Sequence, residues 1–256
     1  MQLSGNTVLI TGGGSGIGRG LAEALVAAGS EVIIAGRRES VLRELAMQHE
    51  RMHYIGLDVG DPLAIGPFAK RLGRQFPKLN VLVNNAGIMR REDWTDEHSS
   101  LADAEQTVAT NLLGPLRVTH ALLPLLKAQP HATIVNVTSG LAFVPLAQTP
   151  TYCASKAALH SFTDSLRYQL RHTAIDCVEW APPYTQTELL DGADDPAAMP
   201  LPDFLAESLA LLARQPTPKE VCVERVRFLR DAEREQRHEA TFQRLNEARA
   251  QPPKRP

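Results

Sequence analysis

A tyrosine and a lysine four positions apart, Tyr152 and Lys156, have the types and spacing for proton chemistry. On a helix they lie one turn apart on the same face. A free tyrosine has a pKa of about 10, and a neighbouring ammonium group favours its phenolate form. The pair therefore predicts that Tyr152 exchanges a proton with a substrate and that Lys156 lowers the pKa of its phenol. The alternative is an amphipathic tyrosine beside a snorkelling lysine, which is common for an isolated pair of this spacing.

A glycine cluster near the N-terminus is the second feature that could do chemistry. It reads TGGGSGIG over residues 11–18 and follows a short apolar run. Glycines permit a tight turn and a close approach of the backbone to a pyrophosphate, whose charge a following helix N-terminus favours. The alternative is a tight strand-to-helix turn without a ligand. We expect dinucleotide contacts from Gly12, Gly14, Ser15, Gly16, Ile17 and Gly18.

Strand and helix patterns alternate along the first 180 residues and would position these groups. Short apolar runs predict strands at residues 7–10, 32–35, 53–57, 81–83, 133–137 and 175–180, with 221–223 as a candidate final strand. Apolar residues at helical spacing predict helices at 17–28, 41–45, 63–76, 105–127 and 152–172. The alternation predicts one α/β domain of Rossmann type, a doubly wound parallel sheet with helices on both faces.

Two segments fall outside this alternation. Residues 181–202 are rich in Pro, Asp, Gly and Ala and are expected to form a mobile substrate loop. Residues 225–256 are expected to form a charged C-terminal helix and tail. A charge run of this kind is usually a solvated helix face, so we expect no function from it.

The ordered motifs of the chain resemble those of the short-chain dehydrogenase/reductase family. They are TGGGSGIG, the NNAG of residues 84–87, Ser139, and the YCASK that begins at Tyr152. The TGxxxGxG spacing differs from the GxGxxG of longer-chain dehydrogenases. The likeness runs from about residue 5 to residue 187. Within the family, NNAGIMRRED, TSGLAFVP and YCASKAA resemble the DltE-like oxidoreductases, a group label that does not fix a substrate.

The resemblance implies a catalytic group of Asn111, Ser139, Tyr152 and Lys156. Ser139 would bind the substrate oxygen, although Thr138 beside it is a rival and a serine after a strand is more often a turn former. Asn111 would help to position a water that relays protons through Lys156. The implied reaction is NADP(H)-dependent interconversion of a carbonyl and an alcohol.

The residues after the second predicted strand bear on the choice of cofactor. NAD-preferring relatives place an acidic residue there, whereas this chain has Gly36 followed by Arg37 and Arg38. Guanidinium groups bind a 2′-phosphate by charge-assisted hydrogen bonds, so NADP(H) is favoured over NAD(H), with Arg37 as the preferred contact. The alternative is two solvent-facing arginines in a loop. The resemblance adds cofactor contacts from Asp58, Val59, Asn85, Ala86, Gly87, Tyr152, Lys156, Pro182, Thr185 and Thr187.

One position departs from the family, which usually has Pro-Gly after the sixth strand. This chain has Pro182 and Pro183, and because proline lacks an N–H and fixes φ, backbone contacts to the nicotinamide carboxamide cannot all be carried over. Apolar residues near the expected site predict a hydrophobic pocket for a small substrate. They are Met89, Leu141, Phe143, Val144, Leu189 and Leu190.

Composition and charge argue against several classes of protein. The chain has 256 residues, 43% of them hydrophobic, and a formal net charge of -2, so no global field would attract nucleic acid. No apolar run reaches about 18 residues and the N-terminus has no leader pattern, so we expect a cytoplasmic protein without a membrane partner. Three cysteines without CxxC spacing and eight histidines without HExxH spacing predict neither a disulfide framework nor a metal site.

Assembly and class of function leave alternatives. The resemblance implies a homodimer built on the two long helices that follow the fourth and fifth strands, with a tetramer in doubt. A regulator could use the same fold to sense NADP(H) without turnover, since fold does not establish function. A structural oligomerisation module would not bind the cofactor at all. The complete set of Asn111, Ser139, Tyr152 and Lys156 favours an enzyme over the regulator, and the glycine loop argues against the module.

Overall fold

The computed structural model describes residues 1–97 and 100–248, and its centre is a parallel sheet of seven strands. The strands lie in the order β3-β2-β1-β4-β5-β6-β7. This is the order of a doubly wound sheet, so the predicted single-domain Rossmann-type fold is confirmed. The strands are β1 (Thr7–Thr11), β2 (Glu31–Gly36), β3 (Met52–Gly56), β4 (Val81–Asn84), β5 (Ala132–Val137), β6 (Ile175–Trp180) and β7 (Glu220–Val221).

Helices connect the strands and cover both faces of the sheet. In the described part of the chain they are α1 (Gly16–Ala27), α2 (Glu39–Ala46), α3 (Pro62–Gln75), α4 (Ala102–Val108), α5 (Gly114–Lys127), α6 (Pro150–Gln169), α7 (Leu201–Leu212), α8 (Arg227–Arg230) and α9 (His238–Glu247). None of these combines the length and the apolar character needed to cross a bilayer.

Alternate side chains of the central strand enter two separate cores. Val8 and Ile10 of β1 pack on the face covered by α1, α2 and α7, whereas Leu9 packs on the opposite face with α3 and α5. All three side chains are fully buried. This is the pattern of a parallel strand covered on both faces. Each such side chain stabilises the fold by about 1.5–3 kcal/mol relative to leaving it exposed.

The helix predicted over residues 105–127 is interrupted. It begins earlier, with α4, and a π-helical turn at Ala109–Leu113 separates α4 from α5. One extra residue in a turn leaves the apolar periodicity on either side nearly intact, so the sequence pattern does not reveal it. Such turns often occur at functional sites, and this one contains Asn111.

The charged C-terminal run is not the solvated surface helix that the sequence predicts. Its described part folds as a 3-10 turn at Glu224–Val226 followed by α8 and α9. Val226, Leu229 and Ala232 are buried, and Leu245 packs on the cluster that contains Tyr152. The prediction of one solvated helix was wrong, because the run is divided into a turn and two short helices and the apolar residues between its charges pack on the rest of the domain. Residues 249–256 of the predicted tail lie outside the described residues.

The segment between β6 and α8 differs in detail from the prediction. Residues 181–202 contain a 3-10 turn at Leu189–Asp194 and a parallel bridge between Thr185 and Met199. Helix α7 begins at the end of this segment and was not predicted, although Phe204, Ser208 and Leu212 mark one buried face at helical spacing. Strand β7 pairs in parallel with β6 but starts one residue earlier than predicted and is shorter.

Candidate active site

A cavity of ≈ 720 Å³ opens where the parallel strands end. Ligands of doubly wound sheets bind at the carboxyl ends of the strands, where the strand order reverses, here between β1 and β4. Most of the residues singled out from the sequence line this cavity: Gly12, Gly14, Ser15, Gly16, Ile17, Arg37, Arg38, Asp58, Val59, Asn85, Ala86, Gly87, Ser139, Tyr152, Lys156, Pro182, Thr185 and Thr187. Gly18 and Asn111 lie behind the lining.

Steric crowding explains two of the glycines that follow β1, one in the loop and one in the first turn of α1. Gly12 has a φ of +68°, and a Cβ there would lie 2.8 Å from the Cα of Ala86. A Cβ on Gly18 would lie 2.4 Å from the carbonyl oxygen of Gly12. Gly18 therefore lets α1 pack directly on the loop, while Gly12 lets the loop pass the end of β4.

The N-terminus of α1 has the properties of an anion site. Ser15 is its N-cap but makes no side-chain capping bond, and the first turn contains no acidic residue. Gly16 and Ile17 of that turn line the cavity. Uncapped amides at a helix N-terminus, together with the helix dipole, stabilise a phosphate group. The glycine cradle and this helix end fit the pyrophosphate of a dinucleotide.

Two arginines stand beside that helix end. Nη2 of Arg38 donates to Ser15 Oγ at 2.9 Å, and its Nη1 lies 3.9 Å from Glu188. The Arg38 and Glu188 side chains are 60% and 75% exposed. Arg37 lines the same part of the cavity. The donor set fits a phosphate on the adenosine ribose, and Arg38, which the sequence ranked second, is already fixed toward Ser15.

Asn85 joins the glycine loop to the end of β4. Its Nδ2 donates to the carbonyl oxygens of Thr11 and Gly12 at 3.0 and 3.2 Å. In return, Thr11 Oγ1 accepts from the backbone N–H groups of Asn85 and Ala86, both at 3.1 Å. These bonds fix the two loops that form the floor of the cavity.

The proton-transfer candidates lie at the other end of the cavity. Lys156 Nζ donates to the carbonyl oxygen of Val137 at 2.7 Å and lies 5.7 Å from the centre of the Tyr152 ring. Ser139 is hydrogen-bonded to the Tyr152 hydroxyl. Tyr152 and Lys156 are 6% and 4% exposed. Strand β5 and helix α6 thus bring Ser139, Tyr152 and Lys156 together. The spacing predicts the proximity of Tyr152 and Lys156, and the family resemblance implies that of Ser139.

Burial changes the acidity of both groups. It raises the pKa of Tyr152 to about 12, which the hydrogen bond from Ser139 only partly opposes. It lowers the pKa of Lys156 to about 8. The direction for Tyr152 is opposite to the prediction from spacing, because loss of hydration disfavours the phenolate and the Lys156 ammonium is engaged with Val137. Near neutral pH the phenol holds its proton and the lysine is mostly charged.

The structure distinguishes Ser139 from its rival Thr138. Thr138 is buried, and its hydroxyl donates to Glu179 Oε1 at 2.7 Å. Ser139 lines the cavity and also caps a 3-10 turn, since its Oγ accepts from the Leu141 N–H at 3.1 Å. Ser139 therefore combines the turn role with access to a ligand, whereas Thr138, which also lines the cavity, has its hydroxyl engaged with Glu179.

The side chain of Asn111 holds neighbouring backbone. Its Nδ2 donates to the Ile88 carbonyl oxygen at 2.8 Å and to Ser155 Oγ at 3.2 Å, and its Oδ1 accepts from the Ile88 N–H at 2.9 Å. Both amide N–H groups are used, and the side chain is fully buried. These contacts tie the segment after β4 to α6, which makes Asn111 a positioning residue in this geometry.

Four of the six apolar residues that the sequence places near the substrate line the cavity, and two do not. Phe143 and Val144 do not line it: Phe143 lies between His160 and Arg230, and Val144 packs on the cluster of Leu229 and Ala232. Met89, Leu141, Leu189 and Leu190 do line it. The sequence reading missed further lining residues because most belong to the charged run: Arg90, Leu146, Arg225, Phe228, Leu229 and Leu245.

Comparison with known proteins gives consistent matches. A model of the short chain dehydrogenase family matches residues 6–197. The uncharacterized oxidoreductase DltE of Bacillus subtilis is 40% identical over 249 residues, which cover 96% of this chain and 98% of that protein.

Solved structures share the fold. A short chain dehydrogenase from Burkholderia cenocepacia in complex with NADP has a TM-score of 0.81 and 25% identity, covering 96% of this chain and 99% of that one. A 3-ketoacyl-(acyl-carrier-protein) reductase from Brucella melitensis complexed with NADH has a TM-score of 0.74 and 28% identity, covering 84% and 93%.

Proposed function

This chain belongs to the short-chain dehydrogenase family, and we propose that it is an NADP(H)-dependent oxidoreductase that interconverts a carbonyl compound and an alcohol. One observation carries the proposal. A single cavity joins a glycine cradle for a dinucleotide to the buried group of Ser139, Tyr152 and Lys156. A nicotinamide ring and a carbonyl carbon would meet beside these side chains.

In the direction of reduction, Tyr152 is the proton donor. Because burial raises its pKa to about 12, the phenol is protonated throughout the physiological range. The bound dihydronicotinamide would supply the hydride to the carbonyl carbon, and the oxygen would take the proton from Tyr152 Oη. Ser139 would orient that oxygen and stabilise its developing charge. The product is the alcohol, and oxidation reverses the same steps.

Lys156 has two roles in this proposal. An ammonium has three N–H donors, and the Val137 carbonyl accepts from one of them. The other two can donate to the nicotinamide ribose and to a water that returns protons to Tyr152. Its positive charge also stabilises the phenolate that Tyr152 becomes after transfer. Asn111 supports this end indirectly, by holding Ile88 and Ser155.

The proposed preference for NADP(H) rests on Arg37 and Arg38. Both line the part of the cavity beside the α1 N-terminus, where a 2′-phosphate would extend. The solved structures compared above hold NADP in one case and NADH in the other, so the preference is argued from these side chains. Asp58 and Val59 would contact the adenine, and Pro182, Thr185 and Thr187 the nicotinamide side.

The substrate is proposed to be small and largely apolar, because leucine, methionine and phenylalanine side chains surround the end of the cavity beside Tyr152. Segment 181–202 supplies part of that wall and is proposed to move as substrate enters. Arg90 and Arg225 also line the cavity, so a substrate with an anionic group forms a second class to test.

A substrate screen tests the function directly. The purified protein is mixed with NADPH or NADH and a panel of apolar ketones, apolar aldehydes and carboxylate-bearing carbonyl compounds, and loss of nicotinamide absorbance is followed. An enzyme oxidises the cofactor with at least one compound. A regulator that senses NADP(H) binds the cofactor and turns over none, and an oligomerisation module does not bind it.

The homodimer is also a proposal. Its interface would use α5 and α6, the long helices after β4 and β5, around a two-fold axis. Sedimentation at micromolar concentration measures the mass, and a monomer alone would contradict the proposal.

A further inference from the structure

A carboxylate that the proposed chemistry does not use lies directly behind the site. Glu179 lies near the end of β6, between the apolar residues Val178 and Trp180, and is only 1% exposed. Its Oε1 accepts from the Thr138 hydroxyl at 2.7 Å, and its Oε2 lies 2.7 Å from His160 Nδ1. Burying a carboxylate is costly unless it is paired and hydrogen-bonded, so this arrangement is a specific one.

Glu179 is hydrogen-bonded to Thr138, the middle one of three consecutive residues where β5 ends. The Val137 carbonyl accepts from Lys156, and the Thr138 hydroxyl donates to Glu179. The Ser139 side chain is hydrogen-bonded to the Tyr152 hydroxyl. Thr138 is also held through its backbone, since its N–H donates to the Trp180 carbonyl oxygen at 2.8 Å. The carboxylate therefore fixes the residue that links the anchor of Lys156 to Ser139.

His160 connects the same carboxylate to α6. It follows Lys156 by one helical turn and Tyr152 by two, so all three side chains lie on one side of the helix. Through Thr138 and His160, Glu179 thus bridges the segment directly after β5, which contains Ser139, and α6, which contains Tyr152 and Lys156.

We propose that Glu179 and His160 form a positioning pair that holds Ser139 in register with Tyr152 and Lys156, and that the charge on His160 is needed for full turnover. This inference rests on the proposed function for its kinetic consequences. Neither residue lines the cavity, so the pair acts through Thr138 and α6 and not by touching a ligand.

The surroundings of His160 give the pair a pH dependence. The His160 ring contacts the Phe143 ring edge-on, with the two ring centres 5.0 Å apart. The Arg230 guanidinium lies over the Phe143 ring, 4.5 Å from its centre. The charged groups around it are Glu179, Asp164 and Arg230, and the hydrogen bond to Glu179 raises the pKa of His160 above 6.5 in spite of burial and Arg230. Because the folded pKa is raised, the ionic contribution is complete below 6.5 and is lost as pH rises through the raised value.

The first test measures the pair itself. The ring of His160 is titrated by NMR in the parent protein and in Glu179→Gln, with the resonance assigned from His160→Gln. We expect a His160 pKa above 6.5 in the parent and a lower value in Glu179→Gln. A parent pKa at or below 6.5, or one that Glu179→Gln leaves unchanged, would overturn the pair.

The second test measures turnover of a carbonyl substrate. Glu179→Gln should lower kcat by about tenfold to a hundredfold, as expected for a small misplacement of reacting groups, with the KM for NADPH within about a factor of two. His160→Gln keeps a donor for Glu179 without the charge, so its kcat should fall less and should lose the step that the parent shows at the pKa of His160. Asp164→Asn is the matched control, since it removes a nearby charge but no bond to Glu179, and its kcat should match that of the parent.

Failure of folding and failure of the proposed function can be told apart. If circular dichroism shows that Glu179→Gln does not fold, His160→Gln decides, and an unchanged pH profile and kcat in it would contradict the inference. If the parent turns over no carbonyl compound, the proposed function fails while the NMR titration still decides whether the pair exists. An equal loss of kcat in Asp164→Asn would show a general charge effect on α6 and would also overturn the inference.

Discussion

The two ends of the cavity differ most in their exposure to water. Tyr152 and Lys156 are 6% and 4% exposed, whereas the side chains of Arg38 and Glu188 at the end beside the α1 N-terminus are 60% and 75% exposed. At the buried end, loss of hydration moves the pKa of Tyr152 up and that of Lys156 down. At the exposed end, charges keep their water and are screened by salt. The proposed function therefore assigns proton transfer to groups whose acidity depends on burial, and cofactor choice to a few exposed side chains.

Removing the buried charge should have the largest effect. Lys156→Ala takes away the ammonium that is proposed to stabilise the phenolate and bind the ribose, so kcat/KM should fall by about a hundredfold or more and cofactor affinity should fall with it. Steady-state kinetics and fluorescence titration with NADPH measure the two losses. Lys70→Ala, on the exposed surface of α3, is the control and should change neither. A loss of turnover without a loss of binding would separate the two roles assigned to Lys156.

Changing the exposed end should alter selectivity and leave the chemistry intact. Gly36→Asp with Arg37→Ala adds a carboxylate for the ribose hydroxyls and removes a cation from the 2′-phosphate. A charge-assisted contact contributes about 1.5–3 kcal/mol, so NADPH affinity should fall about tenfold to 150-fold, toward the lower figure at an exposed site.

The readout is the ratio of kcat/KM for NADPH to that for NADH. It should move toward NADH in the double variant, with kcat at saturating cofactor unchanged. Arg74→Ala removes the same charge far from the cavity and should leave the ratio as in the parent. A parent that already favours NADH would show that the arginines do not select the cofactor.

The pH dependence of reduction reports on the buried end alone. With Lys156 titrating at about 8 and Tyr152 at about 12, the active form has both protons, so activity falls as pH rises through 8 while the phenol stays protonated. We expect a decrease of about fivefold from pH 8 to pH 9, because the protonated fraction of Lys156 falls by that factor. The profile is best measured in His160→Gln, where the neighbouring imidazole no longer titrates. Activity that rises through this range would contradict the assigned protonation states.

Salt should give the smallest effect and the sharpest contrast between the ends. Raising the ionic strength from about 0.1 M to about 1 M shortens the Debye length from about 10 Å to about 3 Å. The KM for NADPH should rise several-fold, because the arginines are exposed, while kcat stays constant. The double variant at Gly36 and Arg37 should show a weaker salt dependence of KM than the parent. If the KM for NADPH depends equally on salt in the parent and in the double variant, the contact that salt screens is not the one made by Arg37.

Much of the fold could be predicted, because the first six strands are short, mainly apolar runs between turn or helix signals, and such runs can be recognised in a sequence. Strand β6 matches its predicted bounds, β1 to β5 differ from theirs by one residue at one or both ends, and β7 ends two residues earlier than predicted. The π turn at Ala109–Leu113 could not be predicted, since it adds a residue without changing the apolar pattern. The folding of α8 and α9 over the cavity was hidden by the charges around Leu229 and Leu245.

In the candidate site, too, local sequence patterns predict some features, whereas others depend on packing between distant segments. The glycine loop and the pair of Tyr152 and Lys156 are local patterns, so their approximate placement follows from helix and turn geometry. The sign of the Tyr152 pKa shift depends on burial by distant segments, which spacing does not contain. Glu179 was not singled out, although a lone glutamate between Val178 and Trp180 in a strand interior is a visible signal for a buried paired carboxylate.

The central claim is that the Tyr152 hydroxyl gives its proton to the substrate oxygen. Tyr152→Phe keeps the ring and its packing but removes that proton, so NADPH affinity should stay nearly intact while turnover is almost lost. Tyr168→Phe is the matched control on the same helix, since Tyr168 is 67% exposed and stacks with Arg171 outside the cavity.

The decisive measurement is kcat for a carbonyl substrate in the parent, Tyr152→Phe and Tyr168→Phe, with the Kd for NADPH determined on the same samples. The account predicts that Tyr152→Phe loses about a hundredfold or more in kcat with Kd unchanged, and that Tyr168→Phe matches the parent. Retention of more than about a tenth of the parent kcat in Tyr152→Phe, with the cofactor bound normally, would contradict the claim.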